Sequence, residues 1–204
     1  DGGADAVSDA DTDADADSDT DADTDTDSQP PTLTASCTAT DNTLRYSCDV
    51  TVDPPQAVQL TWVRADGLGP LRVRTSDLVE GEHQLDLRWL VAREAYTLVA
   101  TATAWPEGPI VSLEVTPELP PDEVGSFLEV TGTSTMGLIG TETPCDQGAF
   151  AVIYDTSTGD VVWYEDLDPS GSLGMLDMIR FTADQTVIGE TDGNVVEVDV
   201  NGND

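Results

Sequence analysis

Residues 33–52 read LTASCTATDNTLRYSCDVTV, and their pattern sets the fold class. Leu33, Ala35, Cys37 and Ala39 share one phase of a two-residue period, and Leu44, Tyr46, Cys48, Val50 and Val52 share another. A period of two marks a strand with one buried face. Asp41-Asn42-Thr43 between the segments reads as a turn, because short polar side chains bond the backbone locally. If the two segments pair as a hairpin with Ala39 opposite Tyr46, Cys37 stands opposite Cys48 and both point inward, which permits a disulfide. The alternative is a pair of buried free thiols, as in a reducing compartment. The disulfide Cys37–Cys48 is the expectation, because the acidic stalk described below points to an oxidising one. Cys145, the third cysteine, is left buried and free or paired beyond residue 204.

The same punctuation continues outward. Short alternating runs follow at 57–64, 71–75, 83–90, 96–104 and 110–116, giving seven strands with the first two. Pro54-Pro55, Gly67-Leu68-Gly69-Pro70, Glu80-Gly81 and Pro106-Glu107-Gly108 separate them. Seven short strands at this spacing imply a β-sandwich over residues 31–117. Trp62 and Trp89 are read as its core anchors. His83, the one histidine, is read as a surface residue at a strand end, since no second His or Cys lies near it in sequence. No nucleophile–base–orienter set appears, so no catalytic and no metal-ligating residue is assigned.

Within that span Leu90, then Tyr96, then alternating Leu98, Ala100 and Ala102 resembles the tyrosine corner of fibronectin type III and related immunoglobulin-like domains. The resemblance implies that the Tyr96 hydroxyl ties back to the backbone ahead of its own strand.

A Pro-rich junction, Pro117-Glu118-Leu119-Pro120-Pro121-Asp122, begins a linker assigned to residues 118–125. Beyond it, residues 126–204 carry tighter hairpin signals. Phe150–Asp155 and Val161–Glu165 flank Thr156-Ser157-Thr158-Gly159, with Gly159 at the position that favours a left-handed backbone. Thr186–Glu190 and Val195–Val200 flank Thr191-Asp192-Gly193-Asn194, and Met175–Phe181 is a further strand. Repeated hairpins of this kind suggest the first blades of a β-propeller.

Ala151-Val152-Ile153-Tyr154-Asp155, Gly159, Val161-Val162-Trp163-Tyr164, Asp177, Gly193, Val196-Glu197-Val198-Asp199 and Gly202 resemble the opening of an arylsulfotransferase-type β-propeller. Members of that family commonly carry an immunoglobulin-like domain ahead of the propeller, the order found here. The resemblance implies an aryl sulfate substrate and transfer through a histidine that becomes transiently sulfated. Residues 122–204 hold no histidine and a single basic residue, Arg180, and Leu176 stands where family blades often place His before Asp. No catalytic residue is carried over, and the implied catalytic centre lies beyond residue 204. Tyr154 to Gly159 followed by Trp163 also resembles a pyrroloquinoline-quinone-type propeller repeat, which serves dehydrogenases and scaffold proteins alike. A non-catalytic surface or adhesion protein is therefore the competing expectation.

Charge narrows the partners. The 204 residues carry 41 acidic and 7 basic side chains, a formal net charge of −34, and every basic residue is Arg. Nucleic acid is excluded as a sequence-independent partner, because binding it requires cations that displace phosphate counterions. No apolar run approaches the ~20 residues of a spanning helix. Asp recurs at every second position from Asp9 to Asp27, spaced by Ala, Thr or Ser. Residues 1–30 are expected to be a disordered, self-repelling tether, with weak Ca²⁺ binding as the one cofactor alternative, because no Gly turn or bidentate Glu of a Ca²⁺ loop is present. The chain opens on Asp1 rather than Met, which reads as a processed chain or a fragment. Aspartate-rich spacers leading into β-domains resemble the stalks of bacterial surface proteins and lipoproteins. That likeness implies an extracytoplasmic location, cell surface or periplasm, with a lipid anchor at a Cys preceding Asp1 as its strongest form.

Overall fold

The computed structural model describes residues 29–125, 129, 131–132, 137–142, 149–168, 176–182, 186–191 and 194–200. The aspartate tract and Cys145 lie outside the described residues. The described regular structure is all-β. Strands β1 (Thr32–Ala39), β2 (Tyr46–Arg64), β3 (Arg72–Leu87), β4 (Tyr96–Ala102) and β5 (Ile110–Val115) build the first unit. Strands β6 (Leu138–Glu142), β7 (Phe150–Asp155) and β8 (Val161–Asp166) form one three-stranded meander, and β9 (Leu176–Phe181), β10 (Thr186–Thr191) and β11 (Asn194–Asp199) form another.

β1 and β2 pair in the register read from the sequence, with Ala39 opposite Tyr46 and Cys37 opposite Cys48. A disulfide joins the two cysteines. The seven expected strands appear as seven straight segments of five longer strands, since β2 runs on through Pro54-Pro55 and β3 through Glu80-Gly81. Proline lacks the N–H a ladder needs, so pairing shifts register there, between Thr51 and Gln56, and the sheet bends without ending. Before the bend, β2 lies between β1 and residues 82–87 of β3. After it, β2 lies between residues 72–76 of β3 and β4, and β4 pairs with β5. The sheet thus curls on itself, and its two halves close one core as in a sandwich. Val50, Val52, Leu85 and Leu87 from one half meet Leu60, Trp62, Leu98 and Ala100 from the other.

The tyrosine corner is present. The Val91 N–H donates to the Tyr96 hydroxyl at 2.9 Å, and both Leu90 and Tyr96 are buried. Two side chains depart from their sequence reading. His83 is buried, not superficial: Nε2 faces the carbonyl oxygens of Gln56 and Glu80 at 2.9 and 3.0 Å, and Nδ1 faces Ser76 Oγ at 2.9 Å. The bend in β2 carries Gln56 over the ring, a proximity that local spacing does not encode. Trp89 is not a sandwich anchor like Trp62. β3 ends at Leu87, Trp89 takes a left-handed backbone with φ 62°, and its half-buried indole packs against the apolar cluster of the second unit.

In the second unit the expected hairpin forms at Asp155–Gly159, with Gly159 at φ 83° and its N–H on the Asp155 carbonyl at 2.7 Å. The Ser157 N–H also bonds the Asp155 carboxylate, which fixes the turn. β6 has no counterpart in the sequence reading. Every residue from Ala151 to Tyr154 and from Val161 to Tyr164 is buried, so strands β7 and β8 are covered on both faces, while Leu138 and Ile139 of β6 are exposed. Ala151, Ile153 and Trp163 pack against Val187 and Val198 of the next meander, while Val152, Tyr154 and Tyr164 pack towards the first unit. Two meanders stacked face to face are compatible with successive propeller blades.

Unfolding of the oxidised protein is expected to cost about 2–3 kcal/mol more than that of the Cys37→Ala/Cys48→Ala variant, given the 11-residue separation of the bridge. Urea titrations of the two proteins measure the difference, and a thiol count on unfolded, unreduced chain should find Cys145 alone. Tyr96→Phe strands the Val91 N–H, and should cost about 1–3 kcal/mol in the same assay.

Candidate functional site

The junction between the two units is held by a set of polar bonds. It starts in the turn after β1. The Asn42 side chain folds back to accept from the Leu44 N–H at 3.0 Å, as Asx residues do in turns, which leaves its amide nitrogen pointing outward. That nitrogen donates to the carbonyl of Tyr164 on β8 at 2.6 Å. The Thr43 N–H donates to the Tyr164 hydroxyl at 3.0 Å, and Thr43 Oγ1 donates to the Leu119 carbonyl at 3.2 Å. One tyrosine is therefore held at its backbone and at its phenol by a four-residue turn of the other unit.

Leu44 and Arg45 complete the joint. Leu44 is 1% exposed and sits in a cluster with Val124, Val152, Tyr154, Val161 and Tyr164, none of them from the sandwich strands. Arg45 is buried, reaches the Tyr164 carbonyl with Nη2 at 3.4 Å and forms an ion pair with Glu165. Its guanidinium also lies 5.5 Å from the centroid of the Trp163 ring, within cation–π range. Trp163 in turn donates its Nε1–H to the Val200 carbonyl at 3.0 Å, which ties β8 to the end of β11. Burial pushes the Tyr154 phenol above its ordinary pKa, in keeping with a dry seam.

The Pro-rich segment read as a linker is part of this joint. Leu119 supplies an acceptor to Thr43, Val124 is 3% exposed within the Leu44 cluster, and the Pro117 carbonyl takes the Arg93 N–H at 2.7 Å.

Of the residues singled out in the sequence, Cys37 and Cys48 are brought together and Tyr96 acts as its motif implies. In the sequence Asn42 reads as a turn residue, Leu44 as buried and Tyr164 as part of a strand motif, none as a contact between the units, and Arg45 is not singled out. A signal for the seam existed in the unbroken apolar runs of β7 and β8, because a strand with two covered faces loses its alternation. Nothing local named the turn that covers one of those faces. Among the described residues no group of three or more His, Cys, Asp or Glu side chains is placed to hold a metal ion, and no helix is long and apolar enough to cross a membrane.

Comparisons with protein-family models, with curated proteins and with solved structures found no match, and so identify neither an arylsulfotransferase nor a fibronectin-like domain.

Leu44→Ala is expected to destabilise the protein by about 2–5 kcal/mol, the range for truncating a fully buried leucine. The loss should fall on the second unit: in urea the fluorescence of Trp163 should report an earlier midpoint while the far-ultraviolet signal of the sandwich persists.

Proposed function

We propose that this chain is a non-catalytic scaffold from the N-terminal part of an exported, arylsulfotransferase-like propeller protein, in which the sandwich is fixed rigidly to the first blades and the catalytic centre lies beyond residue 204. The observation that carries the reading is the seam. The Asn42–Arg45 turn bonds Tyr164 at two points, pairs with Glu165 and supplies Leu44 to the apolar cluster of the neighbouring sheet. A domain built as a loose spacer would have no use for such a joint, whereas a domain that seals the exposed face of a first blade would.

The face-to-face meanders and the Val-Val-Trp-Tyr and Val-Glu-Val-Asp strands support the propeller part of the reading. His83 supports the assignment of the chemistry to another part of the protein. It is the one imidazole in the chain, it is 5% exposed, and backbone carbonyls and Ser76 occupy both of its nitrogens. A sulfuryl acceptor must be open to its donor, and this ring is not. The aspartate tract and the Cys37–Cys48 bridge support an extracytoplasmic, oxidising location. A second reading, a non-catalytic surface or adhesion protein, draws on the exposed apolar side chains Val73, Leu78 and Val79 along β3 and Leu71 just before it.

Two measurements test the scaffold reading. Backbone relaxation of the isotope-labelled chain should give a common rotational correlation time for residues of β2, β4, β7 and β8; independent tumbling of the units would remove its basis. The chain incubated with an aryl sulfate and a phenolic acceptor should release no product above the buffer rate, and measurable sulfuryl transfer would overturn the placement of the catalytic centre.

A further inference from the structure

Three of the seven arginines converge on one cavity. Arg72 and Arg74 stand on β3 opposite Trp62 and Leu60 of β2. Residues directly opposite in an antiparallel pair project to the same side, and Trp62 and Leu60 point into the core, so both arginines project to the inner side of the sheet at its open margin. Arg88 follows the end of β3 and closes the other wall. Together with Asp86 and Trp89 these residues line a cavity of about 270 Å³ that opens to solvent. Three cations and one carboxylate line it, with Asp155 and Asp199 acting on Arg72 and Arg88 from outside the lining, in a chain whose net charge is −34.

The positive charge is poorly compensated. Arg88 is 8% exposed, yet the Asp86 carboxylate lies 3.9 Å from its Nη2 and is itself partly exposed. Arg88 Nε–H has no acceptor, and neither does the buried Nε1–H of Trp62 in the same wall. Burial, and then the proximity of Arg74, hold the Arg88 pKa below its ordinary value. A buried donor without a partner costs roughly 1–3 kcal/mol, and a buried cation without one costs more. An arrangement of this kind is tolerated when something outside the chain supplies the acceptor.

We infer that this cavity binds a small oxyanion-bearing ligand, a carboxylate or a tetrahedral oxyanion, held by Arg72, Arg74 and Arg88 and walled by the Trp62 and Trp89 indoles. The planar guanidinium presents paired N–H donors that match carboxylate, phosphate and sulfate oxygens, which a lysine does not. The volume admits a molecule of benzoate size. The charges on the rest of the chain do not prevent entry, because at physiological ionic strength fields are screened over about 8 Å. The inference does not rest on the scaffold reading, since it uses none of Asn42, Thr43, Leu44, Arg45 and Tyr164, although Trp89 in the cavity wall also packs on the second unit.

The test uses the whole chain at fixed ionic strength, with chloride as the balancing anion. Benzoate, inorganic sulfate and inorganic phosphate are titrated by calorimetry and by tryptophan fluorescence. Saturable binding of at least one is expected, with a quenching or shift of the indole emission. Arg74→Gln alters an exposed side chain and should leave the melting curve intact while weakening binding about tenfold, the loss of one charge-assisted contact. Arg88→Met should abolish binding, and Arg93→Gln, an equal change of charge on an exposed residue elsewhere, should leave it unchanged. Preference for benzoate assigns an aromatic carboxylate, and preference for sulfate or phosphate a tetrahedral oxyanion. No saturable binding of any probe to folded protein at tens of millimolar would overturn the inference. Equal affinity in the wild type and Arg74→Gln would do the same.

Discussion

Strands β7 and β8 have two apolar faces, and the described fold depends on covering both. Ala151, Val152, Ile153 and Tyr154 are consecutive and all buried, as are Val161 to Tyr164. At about 25 cal/mol per Å² of apolar surface, neither face can be left in water without offsetting much of what the other contributes. The second meander covers one face through Val187 and Val198. The first unit covers the other through Leu44, with Ala92 at its margin and Val124 from the Pro-rich segment. The middle sheet thus makes a packing partner of the sandwich, and the connection between them becomes part of a core.

Apolar contact alone would leave the angle between the units poorly defined, because the hydrophobic effect has no direction. The polar bonds around Tyr164 supply that direction. Asn42 and Thr43 address its carbonyl and its phenol, and Arg45 pairs with Glu165 beside it. A buried ion pair adds little net stability over a well-packed apolar pair, since desolvation offsets the attraction. Its effect here is one of register: a rotation of the sandwich would strand Arg45 in a dry seam.

The placement of the arginines follows the same logic. Arg64, partly exposed, takes two carboxylates, Asp66 at 2.8 Å and Glu94 at 2.9 Å. Surface pairs of that kind contribute little. Arg45 and Arg88 differ in being buried. The first meets a carboxylate and an indole face at the seam. The second lies in the cavity with a guanidinium N–H that no protein acceptor reaches. Of these two buried cations, the first is paired directly with a carboxylate, whereas the second meets the Asp86 carboxylate only at 3.9 Å.

Features that rest on neighbours in the chain were legible without the fold. Strict alternation and the Asp41-Asn42-Thr43 turn specified the first hairpin down to its register, because a slip of one residue would have turned Cys37 and Cys48 to solvent. The Leu90–Tyr96 spacing specified the tyrosine corner, and Asp155 with Gly159 specified the β7–β8 turn. Those devices act over six residues or fewer, or through a simple period. Tertiary structure alone decided what covers each face. Alternation says that Leu44 is buried but cannot say against which sheet, and its partners lie about 80 residues or more away in the chain. His83 is buried because a proline bend swings the Gln56 carbonyl over it. Trp89 left the sandwich because its left-handed backbone ended the period that placed it beside Leu85 and Leu87. β6, short and with Gly140 at its centre, has too weak a pattern of its own and is a strand because β7 offers it an edge. Local physics fixes which side of a strand is apolar; only the closed fold brings in the distant groups that satisfy it, or, at Arg88, leaves a donor waiting.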